Sequence, residues 1–574
     1  MDNPRTRLLT AALTAATALT PAGAALAQSD AGKTATGRVF LDGNRNGELD
    51  QGEQGVEGVA VSNGLEVVTT DEDGRYSLAV DGQTIIRMTK PAGYAVPTNE
   101  SELPQFYYIH DPDGSPHDLR YPGVQPTGSL PDQINFPLHE AEKTESFEAI
   151  LISDPQPQSG REIDYIRDDV VSELIGTDAK FGMTTGDIMF DDLSLLPRYN
   201  AVIGQIGVPW WNVPGNHEMN FQASGDKHAT ETFKRVYGPT YYSFEYGAAH
   251  FISLDNVDYQ GKNVGREEPR YRGGGVYEGR ISNRQLEWLK NDLALVLKDE
   301  LVFLAMHIPL KTYLGDGANV NTVNRRELFD IIEDYPNLYA VAGHTHTSEH
   351  HYFDEDDGFD GKKPFHHHVL STVSGSWWSG PKDARGIPDA VQRDGTPNGY
   401  HVLEVDGTNV EVRFKAANKP ADHQMRVMFD TAHHTHNAHI YGDYDMGELL
   451  DGDMTADKVP AASLLVNLFD GGRRSHVEFK VAGGGWRDMT HVRQMDLHAN
   501  ELFQRNAGTV KPWVEAEPSS HIWKADLPDE IGPGTYTVTV RATDEFGNTH
   551  HAHKVLEVRG TGLEQSLNAG DGKT

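Results

Sequence analysis

Residues 147–158 read FEAILISDPQPQ, an apolar run that stops abruptly at an aspartate, a proline and a glutamine. The run from Phe147 to Ile152 is typical of a buried β-strand. Asp154 and Gln156 then follow at the point where that strand should end. The stretch either closes a strand with polar residues or supplies the first two ligands of a metal site, and the sequence around it decides between these readings.

Strands and helices alternate downstream of this stretch. The segment ISNRQLEWLKNDL (281–293) begins like a helix, because Ser282 and Gln285 have the spacing of a capping box. Further patterns predict a helix at 163–174, a strand at 180–185, a helix near 193–206 and strands at 301–306 and 338–343. Such alternation predicts an α/β layered domain over residues 146–415.

The flanking regions contain short β-like runs separated by turns. This pattern predicts an all-β sandwich domain of immunoglobulin-like or prealbumin-like type at residues 35–96 and another at residues 416–560. Residues 97–145, rich in proline, glycine and aspartate, are expected to form a linker, and residues 561–574 a flexible tail.

The bulk properties of the chain limit its function. Its 574 residues are too many for one hydrophobic core. Residues 1–27 combine arginines with a short apolar stretch and the small residues Ala25–Ala27, so we expect a signal peptide and a periplasmic or secreted protein. The lack of cysteine excludes disulfides and thiolate ligands. No later stretch is apolar enough for a membrane span. The net charge of −35 argues against nucleic-acid binding, which requires basic surface.

Each predicted strand of the α/β domain ends in residues that bind metal ions. After Asp154 and Gln156 come Asp187 in TTGDIMFDD, Asn216 and His217 in VPGNHE, His307 in AMHIP, and His344 and His346 in AGHTH. Residues in these positions meet beyond the carboxyl ends of the strands. Two divalent cations about 4 Å apart require a carboxylate that bridges them. Asp187 is the natural bridge, because Gly186 lets the backbone approach closely.

The ordered set D-x-Q, G-D, G-N-H-E, H and G-H-T-H resembles the calcineurin-like metallophosphoesterase family, in its exported type with extra β domains at both ends. The resemblance implies a four-layer core, a β-sandwich with helices outside, and a hydrolase of phosphoric esters. It assigns one metal ion to Asp154, Gln156, Asp187 and His346, and a second to Asp187, Asn216, His307 and His344. His217 would face the scissile phosphate and stabilise charge or protonate the leaving oxygen.

Two positions depart from the family's usual pattern. The family commonly has histidine where this chain has Gln156, and an amide oxygen is a weaker ligand, so manganese or iron is expected ahead of zinc or magnesium. The same glutamine occurs in the manganese-dependent ADP-ribose/CDP-alcohol pyrophosphatase branch, which favours a nucleotide-diphosphate or phosphodiester substrate. The aspartate that orients the catalytic histidine is normally three residues after the bridge, where this chain has Phe190. We assign that role to Asp191 rather than Asp192.

Several aromatic and histidine residues outside the motifs are further candidates for site or structural roles. Residues 375–400 resemble the substrate-side segment of these exported enzymes, which makes Trp377, Trp378 and Tyr400 candidates for stacking against a base, sugar or headgroup. The alternative is that the tryptophans close a core and a domain interface. His250 is expected to be a hydrogen-bonded core residue. A solvated or structural role is expected for His350, His351 and His366–His368.

Residues 42–53, DGNRNGELDQGE, fit the calcium-loop pattern D-x-[DN]-x-[DN]-G-x5-E. The flanking residues are β-like, so we expect a Ca²⁺ loop within a β-sandwich, similar to repeats of bacterial surface proteins. The alternative is an acidic turn without an ion. The predicted ligands are Asp42, Asn44, Asn46, Glu48 through its carbonyl, Asp50 and Glu53.

The sequence thus predicts a phosphoesterase that cleaves phosphodiester, phosphoanhydride or phosphomonoester bonds of a small phosphorylated substrate, with a hydroxide held by two divalent ions. The alternative is a calcium-stabilised surface binding or adhesion protein whose phosphoesterase fold is inert. No feature of the sequence indicates an oligomeric state.

Overall fold

The computed structural model describes residues 32–261, 276–430 and 452–560. The predicted signal peptide (1–27) and tail (561–574) lie outside these residues. The described chain forms three consecutive units, each built around a pair of β-sheets. No helix within the described ranges is long and apolar enough to cross a membrane.

The N-terminal unit is a sandwich of two four-stranded sheets, with strand orders β4-β1-β8-β6 and β3-β2-β5-β7. Alternate residues of β4 (Tyr76, Leu78 and Val80) are buried between the sheets, as the two-residue period of a strand requires. The strands are β1 (Lys33–Leu41), β2 (Ala60–Ser62), β3 (Val67–Thr69), β4 (Arg75–Val80), β5 (Thr84–Met88), β6 (Tyr94–Ala95), β7 (Tyr107–His110) and β8 (Phe136–Glu140).

The prediction that residues 97–145 form a linker is wrong. These residues supply β7, which pairs with β5, and β8, which pairs in parallel with β1. The N-terminal unit therefore extends to Glu140 instead of ending at residue 96. The signal was present in β8, where Phe136 and Leu138 are buried at alternate positions, but so short a strand among proline-rich turns gives too little periodicity to recognise.

The central unit contains a five-stranded sheet of order β11-β10-β9-β20-β21 and a six-stranded sheet of order β12-β13-β16-β17-β19-β18, with β14 and β15 as a separate hairpin. Its strands are β9 (Ser146–Ile152), β10 (Gly182–Thr184), β11 (Trp210–Asn212), β12 (Tyr242–Tyr246), β13 (Ala249–Ser253), β14 (Val257–Gly261), β15 (Val276–Gly279), β16 (Leu301–Ala305), β17 (Leu338–Ala342), β18 (Glu349–Phe353), β19 (Phe365–Val369), β20 (Gly399–Asp406) and β21 (Asn409–Ala416). Its helices are α1 (Gly160–Ile166), α2 (Ser172–Leu174), α3 (Leu196–Ile203), α4 (Glu231–Tyr237), α5 (Asn283–Leu293) and α6 (Arg325–Ile332).

The two central sheets pack face to face and carry helices on their outer faces. Leu151 of β9 shares one core with Phe303 of β16 on the opposite sheet. Ile150, the neighbour of Leu151, points the other way and packs with Ile163 of α1. On the far side, Leu304 packs with helix residues of α5 and α6. The predicted four-layer core is confirmed.

Parallel pairing sets the direction of the strands that matter for function. In the first sheet β9, β10 and β11 are parallel. In the second sheet β13, β16, β17 and β19 are parallel. The segments that follow β9, β10, β11, β16 and β17 carry the predicted metal ligands, so the topology brings these segments to common sheet edges.

The C-terminal unit is a second sandwich, with strand orders β22-β24-β28-β27 and β23-β30-β29-β25-β26. Its described residues also include the helix α7, capped by the Asp496 carboxylate, which accepts a hydrogen bond from the Ala499 amide at 2.7 Å. Its elements are β22 (Met425–Asp430), β23 (Asp453–Thr455), β24 (Ser463–Leu468), β25 (His476–Val481), β26 (Arg487–Asp488), β27 (Thr490–Met495), α7 (Leu497–Arg505), β28 (Pro518–Asp526), β29 (Gly534–Thr543) and β30 (Thr549–Arg559).

Candidate metal centre

The structure brings the seven predicted metal ligands together where the strand ends of the two central sheets meet. Asp187 lies at the middle of the cluster. Its Oδ1 atom is 3.1 Å from His307 Nε2, and its Oδ2 atom accepts a hydrogen bond from Gln156 Nε2 at 2.7 Å. The carboxylate thus contacts residues that follow strands of both sheets, which is the position required of a bridging ligand.

The remaining ligands surround this carboxylate. His307 Nε2 lies 3.1 Å from Asn216 Oδ1 and 3.2 Å from His344 Nδ1. On the other side, Asp154 Oδ1 lies 3.7 Å from His346 Nε2. The Asp154 carboxylate also accepts hydrogen bonds from the His344 amide at 2.9 and 3.1 Å.

Each histidine of the cluster is oriented by a backbone carbonyl. His307 Nδ1 donates to Thr185 O at 2.9 Å, His344 Nε2 to Asn319 O at 2.8 Å, and His346 Nδ1 to Gly375 O at 2.6 Å. These bonds place the proton on the outer nitrogen of each ring. The inner nitrogen then presents a lone pair to the cluster, as in metal-binding histidines.

The donor atoms fit divalent cations. His307 Nε2 faces the oxygens of Asp187 and Asn216 and the nitrogen of His344, a set of acceptors that a positive charge among them would stabilise. Burial opposes a charge on His307, but Asp187 raises its pKa to about 9, so a proton there fills the place that a bound cation would take. Gln156 Oε1 and His346 Nε2 are buried without a hydrogen-bond partner. Unpaired buried acceptors are costly, and metal coordination would satisfy both.

The backbone is strained at the ligands. Positive φ angles occur at Asp154 (47°), Gln156 (38°), Asp187 (50°), His344 (76°) and His346 (53°). Residues other than glycine rarely adopt this conformation, and such strain concentrates at functional sites. Close packing adds a second constraint, because a Cβ atom on Gly343 would lie 2.2 Å from Asp154 Oδ2 and one on Gly186 would lie 2.5 Å from His307 Nδ1. The glycines of two motifs are therefore required by contact with ligands.

His217 lies beside the cluster with its ring held by Asp191. Nδ1 is 2.6 Å from Asp191 Oδ1, and Nε2 is 3.8 Å from Asp187 Oδ2. Asp192, the other acid considered for this role, instead caps a turn through Ser194. Burial opposes a charge on His217, but the carboxylates of Asp187 and Asp191 raise its pKa to about 10. The ring can therefore hold a proton on Nε2, directed at the cluster.

Burial also sets the protonation of other groups in the cluster. It lowers the pKa of His344 and of His346 to about 3, which keeps both imidazoles neutral as metal ligands require. Burial raises the pKa of Asp154 to about 6 and that of Glu218 to about 8. Glu218, the last residue of GNHE, has a structural role that the sequence motif alone does not reveal. Its carboxylate accepts hydrogen bonds from the amides of Met189 and Gly215, each at 2.9 Å.

Of the three predicted substrate residues, Trp377 alone lies at the cluster. Its ring stacks on His346 with centroids 3.7 Å apart. Trp378 is buried and donates from Nε1 to Pro155 O at 2.7 Å. Tyr400 is also buried, with its hydroxyl 3.5 Å from Glu173. Trp378 and Tyr400 are therefore core residues. Trp377 and Trp378 are adjacent in the sequence, but their side chains point in different directions.

Two further aromatic side chains lie at this site and were missed in the sequence. Phe190 stacks on His217 with ring centroids 4.7 Å apart, and Trp513 stacks on Phe190 at 5.7 Å. Trp513 also meets Trp377 edge to face at 6.5 Å and remains 40% exposed. Phe190, Trp377 and Trp513, called the aromatic rim below, line one side of the cluster. No signal in the sequence marked Trp513, since it belongs to the C-terminal unit.

The six singled-out histidines outside the motifs are buried or partly buried. His250 donates to Asp292 at 2.8 Å in the core, as expected for a paired core histidine. His350, His351, His367 and His368 are buried, and His366 is partly buried. Of the two roles expected for the last five, the structural one agrees with this burial and the solvated one does not, because His350 and His368 contact the C-terminal unit, whereas His351 and His367 pack against Tyr313 and Leu310.

The predicted calcium loop forms a closed turn before β2. Asp50 Oδ2 accepts hydrogen bonds from Asn44 Nδ2 at 2.7 Å and Asn46 Nδ2 at 2.9 Å. Asp42 Oδ2 accepts from the Gly47 amide at 2.8 Å, and Glu53 Oε2 accepts from the Asp50 amide at 2.9 Å. The loop thus gathers three carboxylates and two amides within a dozen residues. The Glu48 side chain is exposed.

Comparisons with known proteins agree with this geometry. Three family profiles match the chain: calcineurin-like phosphoesterase over residues 151–348, the N terminal of calcineurin-like phosphoesterase over 43–122, and the C terminal of calcineurin-like phosphoesterase over 367–550. No curated protein matches the chain.

Similar solved structures include a purple acid phosphatase from seeds of yellow lupin (Lupinus luteus), with 12% identity, 63% of this chain and 67% of that chain covered, and a TM-score of 0.34. A dimetal phosphatase from Danio rerio has 15% identity, 46% of this chain and 98% of that chain covered, and a TM-score of 0.30. The matched profiles include the N- and C-terminal extensions as well as the catalytic domain. The chain belongs to the calcineurin-like phosphoesterase family and is a metal-dependent hydrolase of phosphoric esters.

Proposed function

We propose that the protein hydrolyses a phosphodiester or phosphoanhydride bond of a small molecule that carries an aromatic group, such as a nucleotide diphosphate derivative. The observation that carries this proposal is the aromatic rim. Its rings stack on His217 and His346, so a planar group bound against Trp513 would place a neighbouring phosphate at the cluster. Aromatic rings stack on every nucleobase, at roughly 1–3 kcal/mol per base.

The residues assigned to the two metal ions are those of the motifs. Asp154, Gln156, Asp187 and His346 would hold one ion, and Asp187, Asn216, His307 and His344 the other. When bound, two divalent cations activate water near neutral pH and neutralise charge on the phosphoryl oxygens. Because Gln156 offers an amide oxygen in place of an imidazole, we propose manganese or iron as the ions, ahead of zinc or magnesium.

His217 and Asp191 supply the proton chemistry in this proposal. The Asp191 carboxylate holds the ring through Nδ1 at 2.6 Å and leaves Nε2 directed at the cluster. A protonated Nε2 can donate to a phosphoryl oxygen or to the leaving oxygen. The same ring packs against Phe190, which fixes its plane.

A substrate panel tests the proposal. Metal-free protein is reconstituted with manganese, iron, zinc or magnesium in turn. Each form is assayed on bis-p-nitrophenyl phosphate, p-nitrophenyl phosphate and nucleotide diphosphate derivatives, beside an Asn216→Ala control. We expect turnover of the diester and the pyrophosphates that is highest with manganese or iron and lost in the control. Faster turnover of the monoester with every metal would contradict the assignment of substrate class.

The alternative of an inert surface protein is less well supported. All seven ligand positions carry competent side chains, and the backbone strain at five of them would serve no purpose in an inert fold. Absence of metal-dependent turnover on every substrate of the panel would favour that alternative.

We also propose that the loop of residues 42–53 binds a structural Ca²⁺ ion. The fit of residues 42–53 to the calcium-loop pattern supports this, together with the hydrogen bonds by which Asp42, Asp50 and Glu53 hold the loop closed. Calcium would rigidify the loop beside β1.

Export is proposed on the evidence of residues 1–27, which match a signal peptide with a cut after Ala27. N-terminal sequencing of the protein recovered from the periplasm or medium of the producing cell is expected to begin at Gln28. An intact Met1 in a cytoplasmic fraction would contradict export.

A further inference from the structure

A second cluster of metal-binding side chains lies where the C-terminal unit meets the central unit. His350 on β18 and His368 on β19 are partners across the two strands. His401 lies on β20 of the other central sheet, and Asp470 follows β24 of the C-terminal unit. All four side chains are buried, and none belongs to the candidate metal centre. Donor atoms of His350, His368 and Asp470 lie within 4.8 Å of one another.

The Asp470 carboxylate is the centre of this cluster. Its Oδ1 atom lies 2.7 Å from His368 Nε2 and 3.8 Å from His350 Nε2, and its Oδ2 atom lies 3.4 Å from His401 Nε2. Ligand atoms roughly 2 Å from a tetrahedral zinc ion are about 3.3 Å apart. The observed distances bracket this value. The shortest is a hydrogen bond whose proton the ion would displace, as metal binding generally does.

Hydrogen bonding leaves two features of the cluster unexplained. The His401 imidazole is fully buried, and neither of its nitrogens has a hydrogen-bond partner within the described residues. Within the described residues, every ion pair of Asp470 is with a histidine. The Asp470 carboxylate accepts hydrogen bonds from His368 and from Ser348 Oγ at 2.5 Å but has no fixed cation beside it among the described residues, and the His401 imidazole approaches it at 3.4 Å without a hydrogen bond. Both conditions are costly for buried groups. One divalent ion between them would satisfy both groups.

Two of the histidines are already held as metal ligands usually are. His350 Nδ1 lies 2.8 Å from His366 Nε2, and His368 Nδ1 lies 3.0 Å from the Tyr339 hydroxyl. The opposite nitrogen of His368 faces the Asp470 carboxylate, and that of His350 donates to the Asp470 carbonyl at 3.0 Å, a proton that the ion would displace. Partners of this kind fix the orientation of metal-binding imidazoles. Asp470 itself has a φ of 58°, a left-handed conformation that few non-glycine residues adopt.

We propose that His350, His368, His401 and Asp470 bind a third divalent metal ion, of the zinc class, with a structural role. Three imidazoles and one carboxylate are the number and kind of donors of a four-coordinate structural site; His401 approaches the group of the other three through Asp470 Oδ2 at 3.4 Å, and the burial of all four leaves no open position for water or substrate. The ion would tie β18 and β19 of one central sheet, β20 of the other and the C-terminal unit at a single point.

The zinc content of purified variants tests this proposal. The full chain is loaded with zinc, desalted and measured by inductively coupled plasma mass spectrometry. His401→Gln is expected to hold one zinc ion fewer per chain than the wild type. His250→Gln is the matched control, because it replaces another buried histidine of the central unit that bonds to an aspartate. We expect the control to retain the wild-type content. Equal zinc contents of His401→Gln and the wild type would overturn the proposal.

A measurement on the unmodified chain decides the matter even where His401→Gln does not fold. Crystals of the wild type grown with zinc are measured at the zinc absorption edge. We expect an anomalous peak surrounded by His350, His368, His401 and Asp470, separate from those at the candidate metal centre. Loaded catalytic positions with no peak at this cluster would show that these side chains form a hydrogen-bonded network only.

Discussion

Asp191 Oδ1 lies 2.6 Å from His217 Nδ1, although Asp191 is four residues beyond Asp187 rather than the three that the family pattern would give. The extra residue, Phe190, stacks on the same imidazole. The displaced carboxylate reaches the ring because Asp191 has a φ of 129°, which turns the chain back toward His217. The contact that orients the His217 ring is thus made by Asp191, one position after the one that the family pattern uses.

Replacing Asp191 by asparagine is expected to lower kcat roughly 10- to 100-fold, because the ring loses the carboxylate that orients it and supports its charge. The metal content should not change, since Asp191 is not among the ligands. Steady-state kinetics and metal analysis check both statements. Asp192→Asn is the matched control, as Asp192 contacts Ser194 instead. Equal losses in both variants would contradict a specific role for Asp191.

Replacing Gln156 by histidine should shift the metal preference toward zinc. An imidazole nitrogen is a stronger and softer ligand than the amide oxygen, so zinc affinity is expected to rise by roughly tenfold or more. Zinc retained during dialysis against a chelator measures the change. Gln205→His, on the exposed side of a turn, is the control. An unchanged zinc retention in Gln156→His would show that Gln156 does not coordinate the ion.

Trp513→Ala should impair substrates with an aromatic group and spare those without one. Loss of one stacking contact is worth about 1–3 kcal/mol, so kcat/KM for a nucleotide diphosphate should fall about 5- to 150-fold. Turnover of an alkyl phosphate ester should stay within about twofold of the wild type. Trp486→Ala, a tryptophan that contacts Lys480 and Arg541 elsewhere in the C-terminal unit, serves as control. An equal loss on both substrates would point to a structural role for Trp513.

Calcium should stabilise the N-terminal unit through the loop of residues 42–53. Saturating calcium is expected to add roughly 1–3 kcal/mol to its free energy of unfolding, seen as a higher melting temperature in calorimetry. Glu53→Gln should abolish this response because it removes one of the carboxylates. The exposed Glu57→Gln should respond like the wild type. A calcium response that persists in Glu53→Gln would place the ion elsewhere.

The His250–Asp292 pair predicts a pH dependence of stability. Burial disfavours the imidazolium, but Asp292 and Glu245 raise the pKa of His250 to about 9, above the ordinary value for histidine of about 6.5. A raised folded-state pKa gives stability that is complete below the unfolded pKa and disappears as the pH rises through the folded one. The difference corresponds to roughly 3 kcal/mol. The melting-temperature gap between wild type and His250→Gln should therefore shrink from about pH 6 to about pH 10. A constant gap would contradict a charged pair, and the exposed His491→Gln controls for general effects of pH.

The parts of the fold that could be predicted were those with a local signal. The ligands after β9, β10, β11, β16 and β17 followed apolar strands, and parallel pairing necessarily brings such strand ends together. Ser282 begins α5 as its capping pattern predicted, accepting a hydrogen bond from the Gln285 amide at 3.3 Å.

The missed features depend on contacts between distant parts of the chain. Trp513 reaches the cluster from the C-terminal unit, and β8 finds its partner β1 about a hundred residues earlier in the chain. Trp377 and Trp378 are adjacent in sequence, yet one stacks on a site histidine while the other fills the core. Nothing in a single sequence reports which side of the backbone faces a remote partner.

The position of Trp513 has a consequence for how the cleft can change. The metal ligands are encoded within residues 151–348, whereas Trp513 lies within 367–550, in a module with its own core. Substitutions around Trp513 in the C-terminal unit would reshape one wall of the cleft without changing any metal ligand. The cleft wall and the metal ligands can therefore change independently of one another.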